Sequence, residues 1–264
     1  MSFSKVGIVG TGIIGEVLIE VLLRSGLSKE SLSIAEKREE RRDEIITRFG
    51  VSKINDYGSL DAILLAVKPQ DFMATLETIF GSLSGSPLIL SFAAGIKIKS
   101  IEEKLGKGSR VIRVMPNTPM ILGRGMSAMS LGGAATYDDQ NWVKGILSKA
   151  GEVIVIDESL QNAVTATSGS GPAYFFAFTE AVVGAARRLG ISQGDAVTLA
   201  SQTLIGAALM VEKSGKELKT LRENVTSPNG TTAAALKSFA DSGLEEIVYK
   251  AMKAAHDRSI ELSS

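Results

Sequence analysis

The 264-residue chain has room for one α/β domain of roughly 150 residues and a smaller second one, and its 29 basic and 29 acidic residues cancel. That balance excludes the electrostatic footprint of a nucleic-acid binder or of a protein drawn to anionic membranes, and leaves a small molecule as the expected partner. Zero cysteines exclude disulfides, thiolate nucleophiles and cysteine-ligated metals, and the single His256 lies in a polar terminal helix outside any metal-ligand spacing, so no metal is expected.

The chain opens with Met1-Ser2-Phe3-Ser4-Lys5 and runs straight into a strand. It lacks the charged start, apolar stretch and small-residue cleavage site of a signal peptide, which reads as a cytoplasmic protein. Short β-branched and apolar runs at 6–9, 32–35, 62–67, 88–91, 111–114, 127–131 and 152–156 then alternate with helical segments. This alternation predicts an α/β domain over residues 1–160 built on a doubly wound, mainly parallel sheet.

Beyond Leu160 the β-branched runs stop and helix signals take over. Pro172 sits at a helix start, and Ser192-Gln193-Gly194-Asp195 resembles a capping box, so residues 161–264 are expected to form an all-helical domain. The longest apolar candidates are broken by Thr179, Glu180 and Arg187, short of the ~18 residues of a membrane span, so no membrane segment is expected. Ala177, Ala181, Gly184, Ala185, Ala200, Gly206 and Ala207 allow close helix approach. They fit an interlocked helical dimer and packing within one chain equally well. Phe175, Phe176 and Phe178 read as core rather than as a cofactor box.

One turn carries chemistry near the start. Directly after the buried-strand signal ending at Val9 comes Gly10-Thr11-Gly12-Ile13-Ile14-Gly15, followed by an apolar helix. In a strand-turn-helix setting this is the Rossmann-type dinucleotide turn: Gly10 for the tight bend, Gly12 for close approach of the backbone to a pyrophosphate, Gly15 for helix–strand packing. The helix N-terminus then holds the anion. At the end of the second strand an acidic residue would select the ribose 2′-hydroxyl of NAD and a basic one the 2′-phosphate of NADP. Glu36 stands 21 positions after Gly15, close to the usual ~20, but Lys37 and Arg38 follow it, with Arg41 and Arg42 nearby. Two adjacent cations able to clamp a dianion lean the reading to NADP, with NAD as the alternative.

Ligands in such sheets lie beyond the carboxyl ends of the strands. Three segments end apolar strands there: Ala66-Val67-Lys68-Pro69, Phe92-Ala93-Ala94-Gly95 and Met115-Pro116-Asn117-Thr118-Pro119. Ala66, Val67, Ala93 and Ala94 leave room for a flat ring, and the Asn117 amide can pair with a carboxamide or ribose. Lys68 reads either as a cofactor contact or as a surface lysine. In the helical half, Ser168-Gly169-Ser170-Gly171-Pro172 and Thr226-Ser227-Pro228-Asn229-Gly230-Thr231-Thr232 carry more polar and glycine residues than packing requires. The second can present N–H groups and hydroxyls at a helix start, suited either to a substrate carboxylate or to simple capping.

Together with Glu180-Ala181, Gln202-Thr203 and Asn224-Val225, these segments resemble the pyrroline-5-carboxylate reductase family over essentially the full length. Ser-Gly-Ser-Gly-Pro-Ala-Tyr and Ser-Pro-x-Gly-Thr-Thr, in this order behind a dinucleotide domain, are specific to it. The resemblance implies reduction of 1-pyrroline-5-carboxylate to L-proline by NAD(P)H, the last step of proline biosynthesis. It implies that Ser227, Gly230, Thr231 and Thr232 hold the substrate carboxylate, that Thr232 and Ser227 serve the reaction with Thr232 on the ring nitrogen, that Asn224 approaches the cofactor, and that Glu158 lies near the ligands. It also implies an intertwined homodimer assembled further into a decamer.

Two positions depart from the family pattern: Asn229 replaces a glycine, and Glu217-Leu218 replaces a His-Pro. Asn tolerates left-handed backbone, so the turn is expected to survive. A 3-hydroxyacid dehydrogenase would use a lysine on the first long helix of its second domain, and no lysine occurs between Lys149 and Lys213. A non-catalytic NAD(P)-responsive regulator would be expected to lose the loop hydroxyls, and Ser227, Thr231 and Thr232 are present.

Overall fold

Four-residue runs without a polar break, such as Val6-Gly7-Ile8-Val9 and Ala62-Ile63-Leu64-Leu65, have nowhere to face but protein on both sides, which is the condition of a central parallel strand. The computed structural model, which describes residues 3–83, 85–106 and 108–262, places them there. Eight strands, β1 (Val6–Val9), β2 (Leu32–Ala35), β3 (Ser52–Lys53), β4 (Ala62–Leu65), β5 (Leu88–Ser91), β6 (Val111–Met115), β7 (Gly125–Leu131) and β8 (Gly151–Val155), form one sheet in the order β3-β2-β1-β4-β5-β6-β7-β8. All neighbours run parallel except β6 and β7. The strand order reverses between β1 and β4, so their carboxyl ends form the topological switch point where such sheets bind ligands.

Side-chain alternation sorts the core onto two faces. Ile8, Ile34, Leu64, Leu90 and Ile112 pack with helices α1 (Ile13–Arg24), α2 (Glu39–Phe49) and, further along the chain, residues 143–150. The intervening Val9, Ile63, Leu65, Ile89 and Val111 pack against α3 (Pro69–Phe80) and α4 (Ile98–Leu105). Helix α5 (Tyr137–Leu147) starts on a capping box in which Thr136 and Asp139 bond each other's backbone N–H. Asp139, fully buried, also accepts a 2.7 Å bond from Arg110.

Helix α6 (Gln161–Val164) continues through a π-helical turn at Thr165–Gly169 into α7 (Gly171–Arg188), followed by α8 (Gln193–Lys213), α9 (Leu218–Asn224), α10 (Thr231–Asp241) and α11 (Leu244–Glu261). The expected cap of α8 is present, with the Ser192 hydroxyl accepting from the Asp195 N–H at 3.2 Å. The chain forms two compact units, residues 1–170 with 255–264, and residues 171–254, where the sequence divides it at residue 160. Residues 1, 2, 263 and 264, at the ends of the two expected domains, lie outside the described part.

The helical unit corrects two expectations. Phe175, Phe176 and Phe178, read as core, are 61%, 63% and 51% exposed. Within residues 171–254 only Gly171, Ala196 and Ala200 are buried. The unit's apolar side chains therefore lack a core of their own to enter, which a pattern of spacing alone does not reveal. Helix α8, in addition, is long and apolar enough by length and composition to cross a membrane, with 11% of that stretch buried, whereas the sequence reading finds no such run.

Candidate active site

The glycine turn follows from three separate constraints. Gly10 has φ +90, and a side chain there would meet the Ala66 carbonyl oxygen at 2.9 Å, because β1 and β4 lie side by side at the switch point. A Cβ on Gly15 would stand 2.0 Å from the Gly10 carbonyl oxygen, so this glycine lets α1 press onto the turn. Gly12 is different: it has φ −67, and nothing lies within 4 Å of where its Cβ would be. No steric demand of the chain requires a glycine at this N-cap of α1. What the position offers is bare backbone beside N–H groups of Ile13, Ile14 and Gly15 that α1 leaves without helical partners.

A cleft of ≈ 680 Å³ opens at this point, lined by Val9, Gly10 and Gly12 from the turn, Glu36, Lys37 and Arg38 after β2, and Ala66, Val67 and Lys68 after β4. Thr11 is fully buried beneath it, Ile13 is 62% exposed at the start of α1, and Pro69 supplies the first residue of α3. Ala93 is buried, with Ala94 partly so, just past β5, outside the cleft lining.

The far wall was not legible as a motif. Gln70, Asp71, Ala74, Thr75 and Thr78 line it from α3, and Tyr57 joins them. Positions 71, 74, 75 and 78 are one helical face, and a helix that follows a strand at the switch point presents such a face to the crevice, so this spacing was the available signal.

Charge in the cleft is organised around Glu36, whose side chain is 9% exposed. Its carboxylate accepts from the Thr11 N–H and hydroxyl at 3.1 and 3.0 Å and from the Arg38 N–H and Nε at 3.1 Å each. Burial pushes its carboxyl up, but the hydrogen bonds from Arg38 and Thr11 outweigh this and bring it down from the ordinary 4.5 to about 2. Lys37 bonds Asp71 at 3.0 Å. Arg41 donates to the Thr11 carbonyl at 3.1 Å and pairs with Glu16 and Glu44.

Two predicted residues are held by the chain itself. The Asn117 amide donates to the Ser168 carbonyl at 3.1 Å and accepts from the Met126 N–H at 2.8 Å, tying together the turn after β6, in which Thr118 is exposed. Glu158 accepts from the Ile98 N–H at 2.7 Å, at the start of α4, and from the buried Arg113 at 3.1 Å.

In the helical unit, Asn224 ends α9 and is exposed. The 226–230 turn is closed by the Gly230 N–H on the Ser227 carbonyl at 3.0 Å. Gly230 lies so close to Ser227 that a Cβ there would stand 2.3 Å from the Ser227 Oγ. Helix α10 begins on Gly230 with no side-chain cap, so the hydroxyls of Ser227, Thr231 and Thr232 are not consumed in capping it. Asn229 has φ +57, the left-handed backbone expected of a residue standing in for glycine. In place of the His-Pro, Glu217 precedes α9 with extended backbone, after a left-handed Gly215 has ended the α8 segment.

Residues 158–262 match the family model described as pyrroline-5-carboxylate reductase dimerisation, and residues 5–95 match one described as NADP oxidoreductase coenzyme F420-dependent. The pyrroline-5-carboxylate reductase of Corynebacterium melassecola is 39% identical over 266 residues, 98% of either chain. This chain belongs to the pyrroline-5-carboxylate reductase family. The Arabidopsis thaliana reductase is 36% identical over 98% of this chain and 95% of its own. Among solved structures, the pyrroline-5-carboxylate reductase of Coxiella burnetii superposes with a TM-score of 0.92 at 32% identity over 100% of both chains. The Plasmodium falciparum enzyme with NADP bound gives 0.86 at 28% identity over 100% of both. Prephenate dehydrogenase of Aquifex aeolicus, at 15% identity and 0.54, is alike in fold alone. Within the reductase family the dimerisation match spans the whole helical unit, and a homo-oligomer accounts for the apolar side chains that unit leaves exposed.

Proposed function

We propose that this chain reduces 1-pyrroline-5-carboxylate to L-proline with NADH or NADPH. The observation that carries the reading is the 227–232 turn, whose hydroxyls and helix-start N–H groups stay available on a chain that matches the reductases along its length. The bare Gly12 backbone at the switch-point cleft suits a dinucleotide pyrophosphate. Bound there, the reduced nicotinamide supplies a hydride.

Reducing a ketone develops negative charge on oxygen and calls for an acid. A protonated cyclic imine already carries a positive charge, which hydride addition neutralises as the C=N bond becomes C–N. The protein then supplies orientation rather than a strong acid. In this reading the Thr232 hydroxyl accepts the N–H of the ring, and Ser227 with the N–H groups of Thr231 and Thr232 holds the carboxylate, while Gly230, its own N–H on the Ser227 carbonyl, keeps the turn in shape around it. Asn224 approaches the dinucleotide. Glu158 acts at one remove, holding the first turn of α4 through Ile98.

The helical unit pairs with a second copy, and the dimers assemble further into a decamer. A cytoplasmic location goes with this biosynthetic role. The test is oxidation of NADH and NADPH on adding the imine acid: turnover is expected with it and not with 3-hydroxyacids, and the reverse pattern would contradict the proposal.

A further inference from the structure

Resting on the dinucleotide reading of the cleft, we infer that Glu36 sets this chain's cofactor order, so that NADH is bound more tightly than NADPH. The lean toward NADP in the sequence depends on Lys37 and Arg38 being available to clamp a phosphate. The structure commits each of them elsewhere: Lys37 to Asp71 at 3.0 Å, and Arg38 to Glu36 at 3.1 Å. The cations behind them are also paired, Arg41 with Glu16 and Glu44, and Arg42 with Glu39 and Asp43. The corner after β2 therefore presents a carboxylate for each arginine and lysine, not a cationic pocket.

Glu36 itself is fixed. One of its oxygens accepts both the N–H and the hydroxyl of Thr11, so the carboxylate is fastened to the glycine turn and cannot swing out to admit a dianion. Thr11 is fully buried, which leaves that pair of bonds no alternative partner in water. The other oxygen faces Arg38, whose side chain is 68% exposed, so that its bond to Glu36 is open to solvent on the cleft side. A ribose 2′-hydroxyl can take the place of the guanidinium and donate to that oxygen. A 2′-phosphate drawn to Arg38 meets the same carboxylate beside it, a like-charge contact that discriminates against the wrong ligand. Its low titration range keeps the carboxylate ionised near neutral pH.

Isothermal titration calorimetry of the full-length protein with NADH and with NADPH tests this without turnover. The expected result is a Kd for NADH lower by about tenfold or more, with Glu36→Gln closing most of that gap by tightening NADPH and weakening NADH. Equal affinities, or tighter NADPH, in the unmutated protein would overturn the inference whether or not the variant folds. A gap that persists in Glu36→Gln would remove Glu36 as its cause. Binding of neither dinucleotide would instead overturn the reading of the cleft on which this rests.

Discussion

Gly12 and Gly15 separate what the fold needs from what a ligand needs. A methyl at residue 15 would collide with the Gly10 carbonyl oxygen at 2.0 Å, while one at residue 12 meets nothing. Gly15→Ala is expected to cost roughly 1–3 kcal/mol of stability as an overpacked contact. Gly12→Ala should stay within about 1 kcal/mol, the usual scale of an N-cap change, yet weaken dinucleotide binding by steric exclusion. Urea denaturation beside a binding titration checks both, and a Gly12→Ala protein that binds normally would take the pyrophosphate away from this turn. In the helical unit, Thr232→Ala should lower kcat/KM by roughly ten- to a hundredfold, the scale of one lost hydrogen bond to a charged group, with the Kd for dinucleotide unchanged. Unchanged kinetics would remove that hydroxyl from the reaction.

At the scale of elements, legibility followed burial. β1 and β4 are runs without a polar residue and β5 is apolar up to its last residue, Ser91; all three are buried along their length, and each is readable from residue types alone. β3 is two exposed residues at the sheet edge, Ser52 and Lys53, with neither length nor alternation to announce it. The apolar run at 62–67 reads as one strand, but the strand ends at Leu65, and Ala66, its N–H still on the Val9 carbonyl at 2.9 Å, and Val67 line the cleft instead. The glycine turn and the 227–232 turn were visible because their chemistry is local. The pairing of Lys37 with Asp71, 34 positions away, was not, since it exists only once α3 lies beside the end of β2. Asn117 shows the same limit: its amide looks free for a ligand in sequence, and folding brings Met126 and Ser168 to it.

For the molecule as a whole, the two units differ in what they can bury alone. The sheet unit has a packed layer on each face, whereas the helical unit exposes an apolar groove bordered by Phe176, Val183, Val197 and Ile205. A contiguous apolar surface of this kind calls for a protein partner, and the dimerisation match supplies it as a second copy. Ile205, 51% exposed, is a sensitive probe: Ile205→Glu would place a charge on that surface and should shift light-scattering mass toward the monomer. An unchanged assembly would move the interface to another face.

The central claim concerns where the hydride goes. The direct measurement uses dinucleotide dideuterated at nicotinamide C4, incubated with enzyme and 1-pyrroline-5-carboxylate, with the product read by mass spectrometry and NMR. L-proline carrying one deuterium on the ring carbon of the former C=N bond is the predicted result, and proline without deuterium, or a labelled hydroxyacid from a ketoacid substrate in its place, would contradict it.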